Sequence, residues 1–159
     1  GGSLAGSVLQ VVSTTKTDAY TSTATSFTTV TGLTVSITPR STSSKIMVMA
    51  QIASSGATAT ASGQFKVTRG GTDVYVGDAS SARARGVYGG FQSADTHGMT
   101  FSYPITFLDS PSSTSSLTYQ VEARTGTSGS VAVNRSIQDT DNDDRVRGAS
   151  SITVMEIAG

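Results

Sequence analysis

The stretch from Leu33 to Ala53 constrains the fold more than any other. Leu33–Thr38 alternates strictly, with Leu33, Val35 and Ile37 on one face and Thr34, Ser36 and Thr38 on the other. A period of two marks a half-buried β-strand. Pro39 lacks a backbone N–H and ends that strand. A second run begins at Lys45 and is apolar on both faces: Ile46, Val48, Ala50 and Ile52 point one way, Met47, Met49 and Ala53 the other. Such a strand is expected to be covered twice, by an opposing sheet and by a loop or a second subunit.

The rest of the chain repeats the β signal. Strands are predicted at 8–13, 26–30, 33–38, 45–53, 64–69, 73–76, 87–92, 99–108, 117–124, 130–134 and 151–158. Thr31-Gly32 reads as a turn, Gly70-Gly71-Thr72 as the tight reversal of a hairpin, and Gly89-Gly90 as a bulge. Pro104 inside a long β run implies an edge strand or a bulge. Residues 14–25 read as a loop or a loosely paired edge, and 54–62 as a loop of small residues. No long amphipathic helix and no internal repeat is present. About ten short strands at close spacing predict an all-β, jelly-roll-like antiparallel β-sandwich, its first and last strands paired in one sheet. Residues 1–7 read as a linker or an expression remnant, and 8–159 as a single domain.

Composition narrows the function. Lys plus Arg equals Asp plus Glu, 11 of each, which argues against nucleic acid or an anionic membrane as the main partner. No apolar run has the length of a transmembrane helix, so no membrane insertion is expected. Charged residues are only 14% of the chain, and Ser and Thr make up roughly a third, well above ordinary usage. The absence of cysteine removes disulfides, thiolate nucleophiles and Cys-ligated zinc. A domain without such staples that must survive outside a cell needs another source of stability, and oligomerisation is the expected one.

No pattern carries catalytic chemistry. Asp139-x-Asp141-x-Asp143 followed by Asp144 resembles the start of a calcium loop, but it lacks the Gly at its sixth position and the Glu at its twelfth. An exposed, salt-bridged loop is the expectation, with Arg145 and Arg147 as neutralising partners. His97 is the single histidine, in a small polar loop with no second His and no Cys nearby. Asp78, Asp95, Asp109, Glu122 and Glu156 offer no spacing that singles out a glycosidase pair. The chain is therefore read as non-enzymatic, with no cofactor. Candidate surface-binding residues are Arg83, Arg85, Tyr88, His97, Arg135, Arg145 and Arg147, with Tyr103 and Phe91 as further aromatics. Arginine forks and aromatic faces in loops at one end of a sandwich are the usual materials of glycan and anion recognition.

Val8–Asp18 and Val30–Lys45, with Val67–Asp78 and Ala149–Ile157, carry a further signal. Together they resemble a domain found widely in tailed-phage proteins, notably of marine and cyanobacterial phages. The likeness runs from Val8 to Ile157 and consists of strand and turn text. It implies a β-sandwich fibre head or knob, a homotrimer on the virion surface, that binds a host-surface glycan or protein. The alternative it leaves open is a capsid decoration or head-fibre assembly module that contacts only other virion proteins. The resemblance supplies no binding residues. Within the trimer reading, Met47 and Met49 become the candidate subunit interface.

Overall fold

The computed structural model describes residues 4–55, 62–91, 100–126 and 128–159. Its strands are β1 (Val8–Lys16), β2 (Tyr20–Ser22), β3 (Thr28–Ile37), β4 (Lys45–Ser55), β5 (Ser62–Arg69), β6 (Thr72–Tyr75), β7 (Tyr88–Phe91), β8 (Phe101–Asp109), β9 (Leu117–Thr125), β10 (Val131–Val133) and β11 (Ser150–Ile157). They form two antiparallel sheets packed face to face, as an all-β sandwich requires.

The long apolar strand is the hub of the first, six-stranded sheet. One edge of β4 pairs with β11 and then with β10; the other pairs with β8. Beyond them, β1 pairs with β11 and β2 with β10. The first and last strands are therefore neighbours, as the sequence predicted. The second sheet has five strands in the order β3-β9-β5, with β6 and β7 in tandem on the far edge of β5.

Period-two alternation decides which side chains meet. On the inner face of the first sheet, Val12, Val154, Val48 and Phe107 lie side by side across four strands, and Thr14, Ile152, Ala50 and Ile105 form the next row. Val35, Phe65, Val67, Tyr119 and Val121 meet them from the second sheet, all buried. Each such aliphatic side chain contributes about 1.5–3 kcal/mol on leaving water. The inward half of the β4 expectation therefore holds.

Several local expectations change. The segments 26–30 and 33–38 are one strand, β3, rather than two strands around a turn. Gly32 has φ +88°, and the register with β9 shifts between Thr29 and Thr34, so the Thr31-Gly32 pair makes a bulge. That bulge receives the buried Lys16: a Cβ on Gly32 would meet the lysine chain at 3.5 Å. Phe27 lies just outside β3, beneath Lys66 Nζ at 4.6 Å. Gly89-Gly90 is no bulge: β7 pairs with β5 in unbroken register. Strand β1 continues to Lys16, and β4 to Ser55. The Gly70-Gly71 reversal is a two-residue turn with φ of +55° and +82°, the sign a primed hairpin demands. Pro104 lies on β8, which pairs only with β4 among the described residues, so its missing N–H faces a free edge. Residues 56–61, most of the expected 54–62 loop, lie outside the described residues, as does the 93–98 loop with His97.

Candidate functional site

The outer face of the first sheet is built from the other half of the same alternation. Met47 and Met49 project there and are half-buried. Cα pairing places Val11 opposite Met155, Met155 opposite Met47, and Met47 opposite Leu108. Paired residues share a face, so one apolar row crosses β1, β11, β4 and β8. Its ends stay open: Val11 is 55% and Leu108 53% exposed. Ile157 and the 54% exposed Val8 extend it along β11 and β1.

The next row is Ser13, Thr153, Met49 and Thr106, with the two hydroxyls of Ser13 and Thr153 hydrogen-bonded at 2.7 Å. Beyond lie Ser151, Gln51 and Pro104, and the Gln51 amide donates to Ser102. Lys45 is the lone charge in these paired rows, and its ammonium donates to Ser110 at 3.0 Å. The opposite face of the molecule is different in kind. There Lys66 pairs with Asp73 at 2.6 Å and Glu122 at 3.4 Å, and Arg124 lies near the Phe27 ring. Large apolar groups without charge are the composition of an interface core. The charged face is that of a solvated surface.

Sequence reading identified Met47 and Met49 and missed Val8, Val11, Leu108 and Met155. A signal existed: Leu108 falls on the outward beat of β8, with Thr106 and Pro104. Strand registers, which bring those outward residues into one row, are pairings between distant segments.

The candidate surface arginines separate into two groups. Arg135 and Arg147 close on Asp139 at 3.2 and 2.8 Å, and Arg145 reaches Gln138 at 3.3 Å. Arg135 also donates to the Ser136 and Ile137 carbonyls at 3.0 and 3.1 Å. These arginines tie down their own loop. Among the described residues no three Asp, Glu or His side chains converge as metal ligands. Addition of a chelator is expected to leave the melting temperature unchanged; a drop restored by calcium would show that a cation holds this loop. Arg83 and Arg85 lie in the exposed segment between β6 and β7. Tyr88 is half-buried: its hydroxyl donates to the Pro104 carbonyl and its ring meets Tyr103 edge-on at 5.5 Å. His97 and Asp95 lie outside the described residues.

Two of the carboxylates considered for catalysis are structural. Asp109 accepts from Tyr119 Oη at 2.6 Å and from Arg69, which binds the edge of one sheet to the centre of the other. Burial, then the hydrogen bond to Asp109, pushes the Tyr119 hydroxyl well above the ordinary phenol range. The same carboxylate raises Arg69 further. Glu156 is fully buried and accepts from the Gln10 amide (2.6 Å), the Arg40 backbone N–H (2.6 Å) and the Ser44 hydroxyl (2.7 Å). Burial by itself would raise its carboxyl; the donors from Ser44, Gln10 and Arg40 hold it below the ordinary value of 4.5. Glu122 is held by Lys66, Thr68 and Gln120 on the charged outer face. Asp78 is exposed.

No known protein family matches the chain. No curated protein is similar to it.

Proposed function

We propose that the chain is a non-enzymatic structural domain of a tailed-phage virion, a tail-fibre receptor-binding domain that assembles as a homotrimer and attaches to a host-surface glycan or protein. The observation that carries the reading is the apolar outer face of the first sheet, crossed by Val11, Met155, Met47 and Leu108, with Lys45 at its end as the lone charge in the paired rows. The row itself holds no charge to repel a copy of itself, Lys45 lying at its margin, and isolated domains seldom leave such a row in water. A three-fold assembly through it would leave the charged sheet and the loops outside. Other virion proteins would hold the assembly on the particle surface.

The jelly-roll reading is supported by strand order. The long strands run β1-β11-β4-β8 in one sheet against β3-β9-β5 with β6 and β7 in the other. Numbering the tandem β6 and β7 as one strand and leaving aside short β2 and β10 gives eight strands in the order 1-8-3-6 against 2-7-4-5, the double Greek key of a jelly roll. The non-enzymatic reading is supported by the engagement of Asp109 and Glu156 within the protein.

Sedimentation equilibrium at micromolar concentration is the test. A species of three times the 16.2 kDa protomer mass is expected. Met47→Asp places a carboxylate in the centre of the row and should yield folded monomer. A wild-type monomer, or a trimer undisturbed by both Met47→Asp and Met49→Asp, would sink the proposed interface. A stable trimer that binds neither an array of bacterial glycans nor host envelope proteins would favour the assembly-module alternative.

A further inference from the structure

A pocket of about 260 Å³ opens where the chain leaves β6 and returns to β7, lined by Tyr75, Val76, Gly77, Gly86 and Val87. Its walls are fixed. The Gly77 N–H donates to the Gly86 carbonyl at 3.3 Å, and the Val87 N–H to the Phe65 carbonyl at 2.8 Å. Gly86 lies so close to β5 that a Cβ would meet the Phe65 carbonyl at 2.9 Å. Tyr75 stacks on Phe107 of β8, ring centroids 4.8 Å apart and planes 8° from parallel. One face of the Tyr75 ring is therefore packed, yet the residue stays 45% exposed. The stack on Phe107 presents a flat aromatic surface at the pocket wall and reduces the side-chain freedom that Tyr75 would lose on binding.

Part of the polar capacity beside the pocket is unspent. Arg85 donates through Nε to the Gly77 carbonyl at 2.7 Å, which anchors the guanidinium at the rim. Its two Nη groups have no partner among the described residues, and neither do the side chains of Asp78 and Arg83 on the same segment. The arginines beside Asp139 are by contrast consumed. A ligand for this site needs an apolar face for the ring, hydroxyls for the rim, and an anionic group for a planar fork of donors. The volume falls just under the roughly 300–1,000 Å³ typical of drug-sized ligands, so it holds about one ring.

We infer that Tyr75, Gly77, Gly86 and Arg85 form a binding site for a single pyranose that bears a carboxylate, a uronic-acid residue of an acidic polysaccharide. Its C–H face lies on Tyr75 and its carboxylate on the Arg85 fork. The site lies within one protomer and needs no trimer. As the point of receptor contact it rests on the attachment reading proposed above; as a saccharide site it does not.

Amide and aromatic NMR shifts, followed during titration of the wild-type chain, provide the test. The probes are a glucuronate-containing disaccharide, its neutral glucose counterpart, and acetate. The acidic disaccharide should shift Tyr75, Val76, Gly77, Gly86 and Val87, with the neutral sugar about tenfold weaker, as the loss of one charge-assisted fork implies. Arg85→Ala, on an exposed segment, should weaken binding of the acidic sugar about tenfold and remove its advantage over the neutral one. Tyr75→Leu keeps apolar cover on Phe107 and should abolish binding of both; Tyr75→Phe should preserve it. Absence of shifts at these residues, equal affinity for the two sugars, or equal shifts with acetate alone would each overturn the assignment. Binding that persists in monomeric Met47→Asp would separate this site from the assembly; trimers that bind no sugar would end the saccharide assignment and leave the interface standing.

Discussion

Replacing Glu156 by alanine is expected to lower the melting temperature by about 10–15 °C, a loss of about 3–5 kcal/mol for a domain of this size. The magnitude follows from what the carboxylate does. Gln10 brings its amide from β1, Ser44 its hydroxyl from the start of β4, and Arg40 its backbone N–H from the connection after Pro39. Gln10 also donates to the Thr38 carbonyl at 2.7 Å, so the connection is held at two points. Truncation removes the shared acceptor of three donors around a buried carboxylate, and each donor left unsatisfied costs about 1–3 kcal/mol. Glu156→Gln keeps one acceptor oxygen but turns an NH2 toward a donor, and should recover only part of the loss. The pH dependence has a definite sign. The folded carboxyl lies below its ordinary value of 4.5, so its contribution is complete above that value and is lost as pH falls through the lower, folded one. Thermal melts from pH 7 to pH 3 should show wild type and Glu156→Gln converging at the acid end. A constant difference across that range would refute the assigned role.

Glu156 also shows where sequence reading stops. On the sequence it is one of five acidic candidates with nothing to distinguish it, inside a final strand whose other residues read plainly as β. Its partners lie 112 to 146 positions away. The strands were legible because alternation is local: Leu33, Val35, Ile37 and the Ile46, Val48, Ala50, Ile52 set carry their own period. The Gly70-Gly71 hairpin was legible because only glycine adopts that pair of φ values freely. The Gly32 bulge was not, because a glycine between two β runs looks the same whether the chain turns or merely steps over a lysine. Gly89-Gly90 misled for the opposite reason: small residues in a strand tolerate regular pairing as well as a bulge.

The candidate surfaces divide along the same line. Met47 and Met49 announced themselves as apolar residues on the wrong beat of a strand. Arg145 and Arg147 read on the sequence both as neutralising partners of the acidic loop and as binding candidates; Arg147 pairs with Asp139, joined there by Arg135, while Arg145 is turned to Gln138. Tyr75 drew no notice as a strand-end tyrosine. Only the packing of its ring on Phe107, 32 positions further along the chain, makes it a platform.

Asn134→Ala is expected to cost about 3–5 kcal/mol and to release the segment it anchors. Asn134 follows β10 with φ +62° and is fully buried. Its amide nitrogen donates to the Lys16 and Asp18 carbonyls at 2.9 and 3.0 Å, and its oxygen accepts from Ser150 Oγ at 2.6 Å. Its backbone N–H reaches the Ala53 carbonyl at 2.7 Å, and its own carbonyl receives the Gly148 N–H at 3.0 Å. One residue thus joins the ends of β1, β4 and β10 to the start of β11, and it closes the segment that holds Arg135, Asp139 and Arg147. Alanine loses three side-chain bonds and also sits in a left-handed conformation that asparagine tolerates better. Glycine loses the same bonds without that strain, so Asn134→Gly should be the milder variant by about 1 kcal/mol. Asn134→Asp keeps the Ser150 contact but presents a carboxylate oxygen to two carbonyls, and should be at least as harmful as alanine. Urea unfolding of the three variants orders these effects. Limited proteolysis should cut within residues 135–147 in all three before global unfolding; resistance equal to wild type would mean that the segment is secured by its arginine–aspartate pairs instead.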